Sequence, residues 1–158
     1  MSKAADAPQV SILWAGIDQA EDLARLHAPL FDVAWDGASF ARLLAHPGST
    51  ALVARVGSPP RIVGFIVGQV AADEAEILSL GVAKDWQRLG IARQLVAALG
   101  RAAKRAEARR LYLEVAEGNA AARALYGQFG FQEGGRRKGY YARAGAPAED
   151  AINLWLAL

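Results

Sequence analysis

The sequence predicts a single domain of the mixed α/β class, with one central, mostly antiparallel sheet flanked by helices. Two short helical patterns come first, three strand-like segments follow, and strands and helices then alternate as β–α–β–α–β–β. The 158 residues show no internal repeat and no linker, and this length suits one domain with a buried core. We therefore expect the domain to occupy residues 9–158, after a flexible N-terminal segment, residues 1–8.

The first elements are predicted from apolar spacing and turn residues. Residues 10–15 favour a strand, and Asp18 is the expected N-cap of a helix that ends near His27. Residues 29–38 are expected to form a loop with exposed aromatic side chains. A second short helix, residues 39–46, is expected to stop at the Pro-Gly pair that follows it.

The middle of the chain predicts a hairpin, a third strand and a long helix. Residues 50–56 and 61–70 are strand-like and are joined by a Gly-Ser-Pro-Pro turn. Residues 76–83 predict the next strand. Residues 90–106 predict an amphipathic helix because apolar side chains recur on one stripe.

Residues 109–116 alternate apolar and polar side chains, which predicts a strand with one face toward the core. Tyr112 and Glu114 lie on its less apolar face. After it, Asn119 is the expected cap of a short helix. Gly130 is the expected left-handed residue at the end of that helix, with Phe131 folding back onto it.

Two final strands are predicted near residues 131–139 and 150–157. The loop between them, residues 143–149, is rich in small residues and contains a proline.

Composition excludes several classes of site. The chain has no cysteine, so disulfides, thiolate nucleophiles and cysteine metal sites are excluded. Two histidines are too few for a histidine-based metal site, and we expect no metal. The net charge of +2 is nearly balanced, and no apolar run approaches the length of a membrane span. The N-terminus lacks the apolar region of a signal peptide, so we expect a cytoplasmic protein without membrane attachment.

Residues 79–92 form the first candidate site, because a strand feeds a glycine-bearing turn into the start of a helix. The first N–H groups of a helix have no intrahelical partner, and the helix dipole adds positive charge there. Gly90 and the small Ala92 would let the pyrophosphate of a nucleotide-like cofactor approach the backbone. The alternative that this junction binds no ligand remains open, since many strand–turn–helix junctions carry a glycine and bind nothing.

Two motifs narrow this choice, because they resemble the GNAT superfamily of N-acetyltransferases. Residues 87–92 (Gln-Arg-Leu-Gly-Ile-Ala) are similar to its Q/R-x-x-G-x-G/A acetyl-coenzyme A motif. Downstream, its N-x-x-A-x-x-L-Y-x-x-x-G-F segment is matched at the same spacing by Asn119, Ala122, Leu125, Tyr126, Gly130 and Phe131. Together the motifs cover residues 76–131 and imply the GNAT fold and acetyl-CoA as the donor.

Three further segments resemble the RimI-type ribosomal-protein alanine N-acetyltransferases of bacteria. They are Leu-Glu-Val at 113–115, Arg-Arg-Lys-Gly-Tyr-Tyr at 136–141 and Glu-Asp-Ala at 149–151. Phe31 and Trp35 match an aromatic pair in that family's substrate loop. The chain departs from the family at Ala34, where proline is usual, and at Gly81, where a small apolar side chain is usual.

The resemblance assigns the donor-side residues. The backbone of residues 88–92 is expected to hold the pyrophosphate, with added charge from Arg88 and Arg93. The strand residues 80–82 are expected to pair with the pantetheine, and a Val82 N–H aimed at the thioester oxygen would stabilise an oxyanion. Asn119 is either a plain helix cap, a cofactor contact, or both. The expected cofactor-binding residues are Leu80, Gly81, Val82, Gln87, Arg88, Leu89, Gly90, Ile91, Ala92, Arg93 and Asn119.

The resemblance also assigns the catalytic residues. Glu114 is expected to be the general base, since the matching glutamate has that role in RimI-type enzymes, whereas spacing alone favours a solvated strand carboxylate. Tyr126 is expected to be the general acid that protonates the coenzyme A thiolate, and a buried aromatic ring is compatible with that role. Without cysteine, direct attack by the amine is the simplest scheme.

The acceptor assignment rests on the same resemblance. Phe31, Trp35, Arg137, Tyr140 and Tyr141 are the expected substrate-binding residues, and the expected acceptor is the N-terminal alanine of a ribosomal small-subunit protein. We expect no stable nucleic-acid binding. Two alternatives remain: a GNAT enzyme that acetylates lysine or a small-molecule amine, and a non-catalytic module that binds acetyl-CoA.

Overall fold

The structure, a computed structural model, describes residues 9–158, so the predicted flexible segment 1–8 lies outside the described residues. The strands are β1 Ser11–Trp14, β2 Ser49–Val56, β3 Arg61–Ala71, β4 Glu74–Val82, β5 Arg110–Ala116, β6 Gln132–Tyr141 and β7 Glu149–Ala157. The helices are α1 Ala20–His27, α2 Gly37–Ala45, α3 Ile91–Arg105 and α4 Ala120–Gln128, and short 3-10 helices span Ile17–Gln19 and Lys84–Trp86.

The seven strands follow the order β1-β2-β3-β4-β5-β7-β6. The pairs β1–β2, β5–β7 and β6–β7 are antiparallel, whereas β4 and β5 are parallel. The predicted class, a mixed and mostly antiparallel sheet with flanking helices, is confirmed. None of the helices within residues 9–158 is long and apolar enough to cross a membrane.

The chain divides into two compact units, each described by itself below. Within the described residues, unit 1 consists of residues 9–67 and Ser79–Leu99, and unit 2 consists of Gly68–Leu78 and Gly100–Leu158.

Unit 1 corrects two sequence expectations near the N-terminus. Asp18 does not cap the first helix: it lies inside the 3-10 turn, and Gln19 occupies the N-cap position of α1. The loop aromatics Phe31 and Trp35 are half-buried and pack against the core, although exposed rings were expected. The capping signal that the structure does use is Asp36, whose side chain accepts the Ser39 N–H at 2.8 Å and starts α2.

An aromatic cluster around His27 explains why the loop rings are buried. The His27 ring stacks on Phe31 at 4.0 Å and on Trp35 at 5.2 Å, and its Nδ1 accepts the Trp35 N–H at 3.1 Å. Phe40 and Phe65 complete the cluster beneath it. His27 is therefore a core residue that fixes the loop between α1 and α2.

Unit 2 confirms the predicted ends of α4. The Asn119 side chain accepts the Ala122 N–H at 3.1 Å, which satisfies one of the unpaired N–H groups at the helix start. Gly130 has a φ of 84°, a left-handed conformation that glycine adopts without strain. The rings of Phe131 and Tyr126 meet edge-to-face, with their centroids 5.3 Å apart.

A one-residue bulge in β6 sets the orientation of the side chains that follow it. Glu133 pairs with Leu154, but Gly135 pairs with Asn153, so Gly134 is an extra residue. The shift places Arg137, and not Arg136, opposite Ala151. Bulges change which face of a sheet a side chain occupies, and here the change divides the roles of two neighbouring arginines.

We predict that Gly81→Ala lowers the free energy of unfolding by roughly 1–3 kcal/mol, because overpacking a dense core is costly. A Cβ at Gly81 would lie 2.7 Å from Phe65 Cε1 and 3.1 Å from Leu30 Cδ1. The matched control is Gly127→Ala in α4, where a Cβ would meet nothing within 4 Å. This variant should raise the free energy of unfolding by up to about 1 kcal/mol. Urea denaturation measures the free energy of unfolding of both variants. An unaltered value for Gly81→Ala would contradict the close packing of Phe65 and Leu30 over Gly81.

We predict that part of the acid sensitivity of folding comes from His27. Burial lowers the pKa of His27 from its ordinary value of 6.5, since the charged form loses hydration. Below that value the unfolded chain binds a proton that the folded chain does not bind at this site, so stability is present above about 6.5 and falls as the pH falls.

His27→Phe removes this titration, so its free energy of unfolding should fall less steeply than that of the wild type between about pH 7.5 and about pH 5.5. His46→Gln, at an exposed position, is the control for the loss of a histidine. Equal slopes for the wild type and His27→Phe would show that His27 does not carry this effect.

Candidate active site

The end of β4 provides the strand part of the predicted donor site. Leu80 is half-buried, and Gly81 and Val82 are buried. Phe65 and Leu30 fill the space where a side chain at position 81 would lie. The departure at Gly81 is therefore matched by an aromatic ring packed over the backbone.

Gln87 ties the following loop to the strand. Its side-chain amide donates to the Val82 carbonyl oxygen at 2.9 Å. Ala83, which follows Val82, donates its N–H to the Val63 oxygen at 2.8 Å. These two bonds fix the direction in which the strand leaves the sheet and the loop begins.

The loop that follows has the backbone geometry of an anion cradle. Arg88 and Gly90 have positive φ angles of 62° and 81°, and turns of this kind direct N–H groups into a concave surface. A Cβ at Gly90 would meet nothing within 4 Å, so the space over this backbone is open. Leu89 lies between them and is 54% exposed.

The start of α3 adds the helix terminus to this cradle. Gln94 donates its N–H to the Gly90 oxygen at 3.1 Å. The N–H groups of Ile91 and Ala92 therefore precede the first N–H that donates within the helix. Ile91 is buried and anchors the helix in the core, whereas Ala92 is half-buried and Arg93 is exposed. These residues fit the pyrophosphate of acetyl-CoA, because they combine open backbone donors, the positive end of a helix and nearby arginines.

Asn119 uses its side-chain oxygen as the cap of α4. The geometry supports the plain-cap interpretation of this residue, and contact with a cofactor remains a prediction.

Glu114 lies on β5 with its side chain 23% exposed. The strand alternates as predicted: its odd-numbered residues 111, 113 and 115 are buried, while Tyr112 and Glu114 are half-buried on the other face. Arg137 Nε lies 3.0 Å from Glu114 Oε1. This pair brings two of the predicted site residues into direct contact.

Tyr126 is 5% exposed. Burial raises its pKa to about 12, because the phenolate form would lose hydration. The hydroxyl therefore keeps its proton across the physiological pH range, as a proton donor must.

Tyr140 and Tyr141 flank the Glu114–Arg137 pair. The Arg137 guanidinium lies 5.0 Å from the centroid of the Tyr140 ring, and the two tyrosine rings meet edge-to-face at 5.1 Å. The pKa of Tyr141 is raised by burial and by the Glu114 charge. Unit 2 thus gathers Glu114, Arg137, Tyr140 and Tyr141 into one cluster, while Phe31 and Trp35 join the His27 cluster in unit 1.

Sequence reasoning did not identify Glu76, and it gave Arg136 no role separate from that of Arg137. Glu76 lies within electrostatic reach of Glu114 and Arg137. Its pKa is raised first by burial and then by the Glu114 charge, and it is lowered by the Arg137 charge. Arg136 binds Glu117 and Asp150, each at 2.9 Å, and so joins β6 to β7 and the loop after β5. An outward-facing carboxylate at position 76 was the available signal for Glu76, but the sequence does not show which residue of β5 lies beside it.

Comparisons with known proteins identify the family of this chain. The model of the acetyltransferase (GNAT) family matches residues 20–131. The N-alpha-acetyltransferase RimI of Mycobacterium tuberculosis is 37% identical over 150 residues, which cover 91% of this chain and 92% of that protein. The [ribosomal protein bS18]-alanine N-acetyltransferase of Escherichia coli is 34% identical over 122 residues, covering 77% of this chain and 80% of that protein.

Solved structures show the same fold. The crystal structure of the ribosomal-protein-S18-alanine N-acetyltransferase from Escherichia coli superposes with a TM-score of 0.86 at 27% identity, covering 94% of each chain. Arabidopsis thaliana NAA60 in complex with acetyl-CoA gives a TM-score of 0.82 at 19% identity, covering 95% of this chain and 99% of that chain, and shows a similarity of fold alone. The family match spans most of the chain, and this protein therefore belongs to the GNAT family of acetyltransferases.

Proposed function

We propose that this chain is an acetyl-CoA-dependent Nα-acetyltransferase that modifies the N-terminal alanine of a ribosomal small-subunit protein. The observation that carries the proposal is the half-buried Glu114 carboxylate, held 3.0 Å from Arg137 and flanked by two tyrosines. The names of the relatives from Mycobacterium tuberculosis and Escherichia coli, an N-alpha- and an alanine N-acetyltransferase, support this choice of acceptor.

In the proposed reaction, residues of unit 1 bind the donor, acetyl-CoA. Its thioester supplies an activated acetyl carbon and a thiolate leaving group. The backbone of residues 88–92 binds the pyrophosphate, with charge from Arg88 and Arg93, and residues 80–82 bind the pantetheine. The Val82 N–H stabilises the developing oxyanion, a role that preorganised backbone donors perform in other acyl transfers.

The acceptor half assigns proton transfer to unit 2. Glu114 removes a proton from the α-ammonium group and passes it to solvent, and the neutral nitrogen attacks the thioester carbon. The nitrogen gives up its second proton as the amide forms. As the carbon–sulfur bond breaks, the sulfur takes the hydroxyl proton of Tyr126, and the second proton from the nitrogen restores that hydroxyl through solvent. Arg137 holds the Glu114 carboxylate in one orientation. A pair this exposed contributes about 1 kcal/mol or less to stability, so its value lies in positioning.

The acid–base chemistry of the acceptor supports an N-terminal amine over lysine. A free α-amino group has a pKa of about 7.7–8.0 and a lysine about 10.4. At neutral pH roughly a tenth of the first is already unprotonated, compared with well under a thousandth of the second. A single carboxylate is therefore a more adequate base for an α-amine.

We predict that Glu114→Gln and Tyr126→Phe each lower kcat at least ~100-fold, the usual contribution of a general acid or base. The control is Glu133→Gln, an exposed carboxylate on β6, which should keep wild-type turnover. Steady-state kinetics with an alanine-starting peptide measures the effect, and thermal unfolding checks that each variant is folded. Wild-type turnover in both variants would remove the roles assigned to these side chains.

We predict that a short peptide with a free N-terminal alanine is acetylated, and that the same peptide with a blocked α-amine and one internal lysine is not. The pKa difference between the two amines is the reason. Mass spectrometry of the products distinguishes the sites. Acetylation of only lysine or of small amines would favour the first alternative, and acetyl-CoA binding without transfer to any amine would favour a non-catalytic module.

A further inference from the structure

Glu76 and Glu114 lie on the same face of unit 2, although they belong to different strands. The parallel register of β4 and β5 pairs Glu76 with Tyr112. Paired residues of neighbouring strands face the same side, and so do residues i and i+2 of one strand. Glu76, Tyr112 and Glu114 therefore share a face.

The burial pattern supports this placement. Ala75 and Ile77, which flank Glu76 on β4, are buried, and so are Leu111 and Leu113 around Tyr112. The core-facing residues of both strands thus lie on the opposite side from the two glutamates.

On this face, the carboxylates of Glu76 and Glu114 both interact with the guanidinium of Arg137. The pKa of Glu76 is raised first by burial and then by the charge of Glu114, and it is lowered by Arg137. Two carboxylates therefore share one guanidinium, which is already in contact with Glu114 at 3.0 Å. This arrangement leaves negative charge beside the proposed base, and a cation from outside the chain would relieve the repulsion between the two carboxylates.

We propose that Glu76 is an acceptor-binding residue: together with Glu114 it receives the α-ammonium group of the incoming polypeptide before the proton is removed. This inference rests on the proposed function and adds a substrate contact to it. An ammonium group has three N–H donors, so two carboxylates can bind it at once. Glu114 then takes the proton while Glu76 keeps the nitrogen in place.

Peptide binding without turnover tests the proposal directly. Isothermal titration of CoA-saturated protein with an alanine-starting peptide measures the Kd, since CoA carries no acetyl group to transfer. Glu76→Gln should weaken binding about tenfold, which corresponds to about 1.4 kcal/mol. The same peptide with an acetylated N-terminus should bind the wild type and Glu76→Gln equally.

The matched control is Glu74→Gln, two residues earlier on the same face of β4 and, like Glu76, exposed. It should keep the wild-type Kd for the free peptide. In steady-state assays Glu76→Gln should raise the KM for the peptide about tenfold with kcat and the KM for acetyl-CoA close to wild type, the pattern of lost ground-state binding.

The outcomes separate this inference from the proposed function. An unchanged Kd and KM in a folded Glu76→Gln variant would overturn the role of Glu76 while leaving the proposed function intact. A large loss of kcat with an unchanged peptide Kd would also overturn it, because Glu76 would then act on the proton and not on binding. Failure of the wild type to acetylate any α-amine would refute the proposed function itself.

Discussion

The extra residue at Gly134 is the constraint on which the candidate acceptor site depends. Because side chains alternate along a strand, one added residue moves every later side chain of that strand to the opposite face of the sheet. With it, Arg137 pairs with Ala151 of β7 and reaches Glu114. Arg136 is left to bind Glu117 and Asp150. One arginine thus orients the proposed base, and its neighbour holds the surrounding backbone.

The two halves of the proposed reaction depend on different kinds of structure. The donor side relies on backbone: left-handed turns at Arg88 and Gly90 and the first N–H groups of α3. Such groups suit a phosphate in any sequence with the same turn. The acceptor side relies on side chains whose charges act on one another, Glu76, Glu114 and Arg137. In the proposed reaction, specificity for the amine would therefore depend on strand register more than on local turns.

Local features were predictable from the sequence, and contacts between distant segments were not. The Asn119 cap, the left-handed Gly130 and the alternation that exposes Glu114 depend on neighbours within a few residues, and the structure has all three. The prediction that Asp18 caps the first helix is wrong, because the chain first makes a 3-10 turn. The burial of Phe31 and Trp35 depends on His27, and the place of Glu76 depends on a register between strands that no local pattern reveals.

Direct N-terminal acetylation with Glu114 as the base is the central claim, and the N-terminal masses of ribosomal proteins test it most directly. Small-subunit proteins would be analysed by mass spectrometry from cells with the wild-type protein, without it, and with Glu114→Gln in its place. We expect a protein whose N-terminal alanine is acetylated in the first cells and free in the other two. The same acetylation state in all three would contradict it.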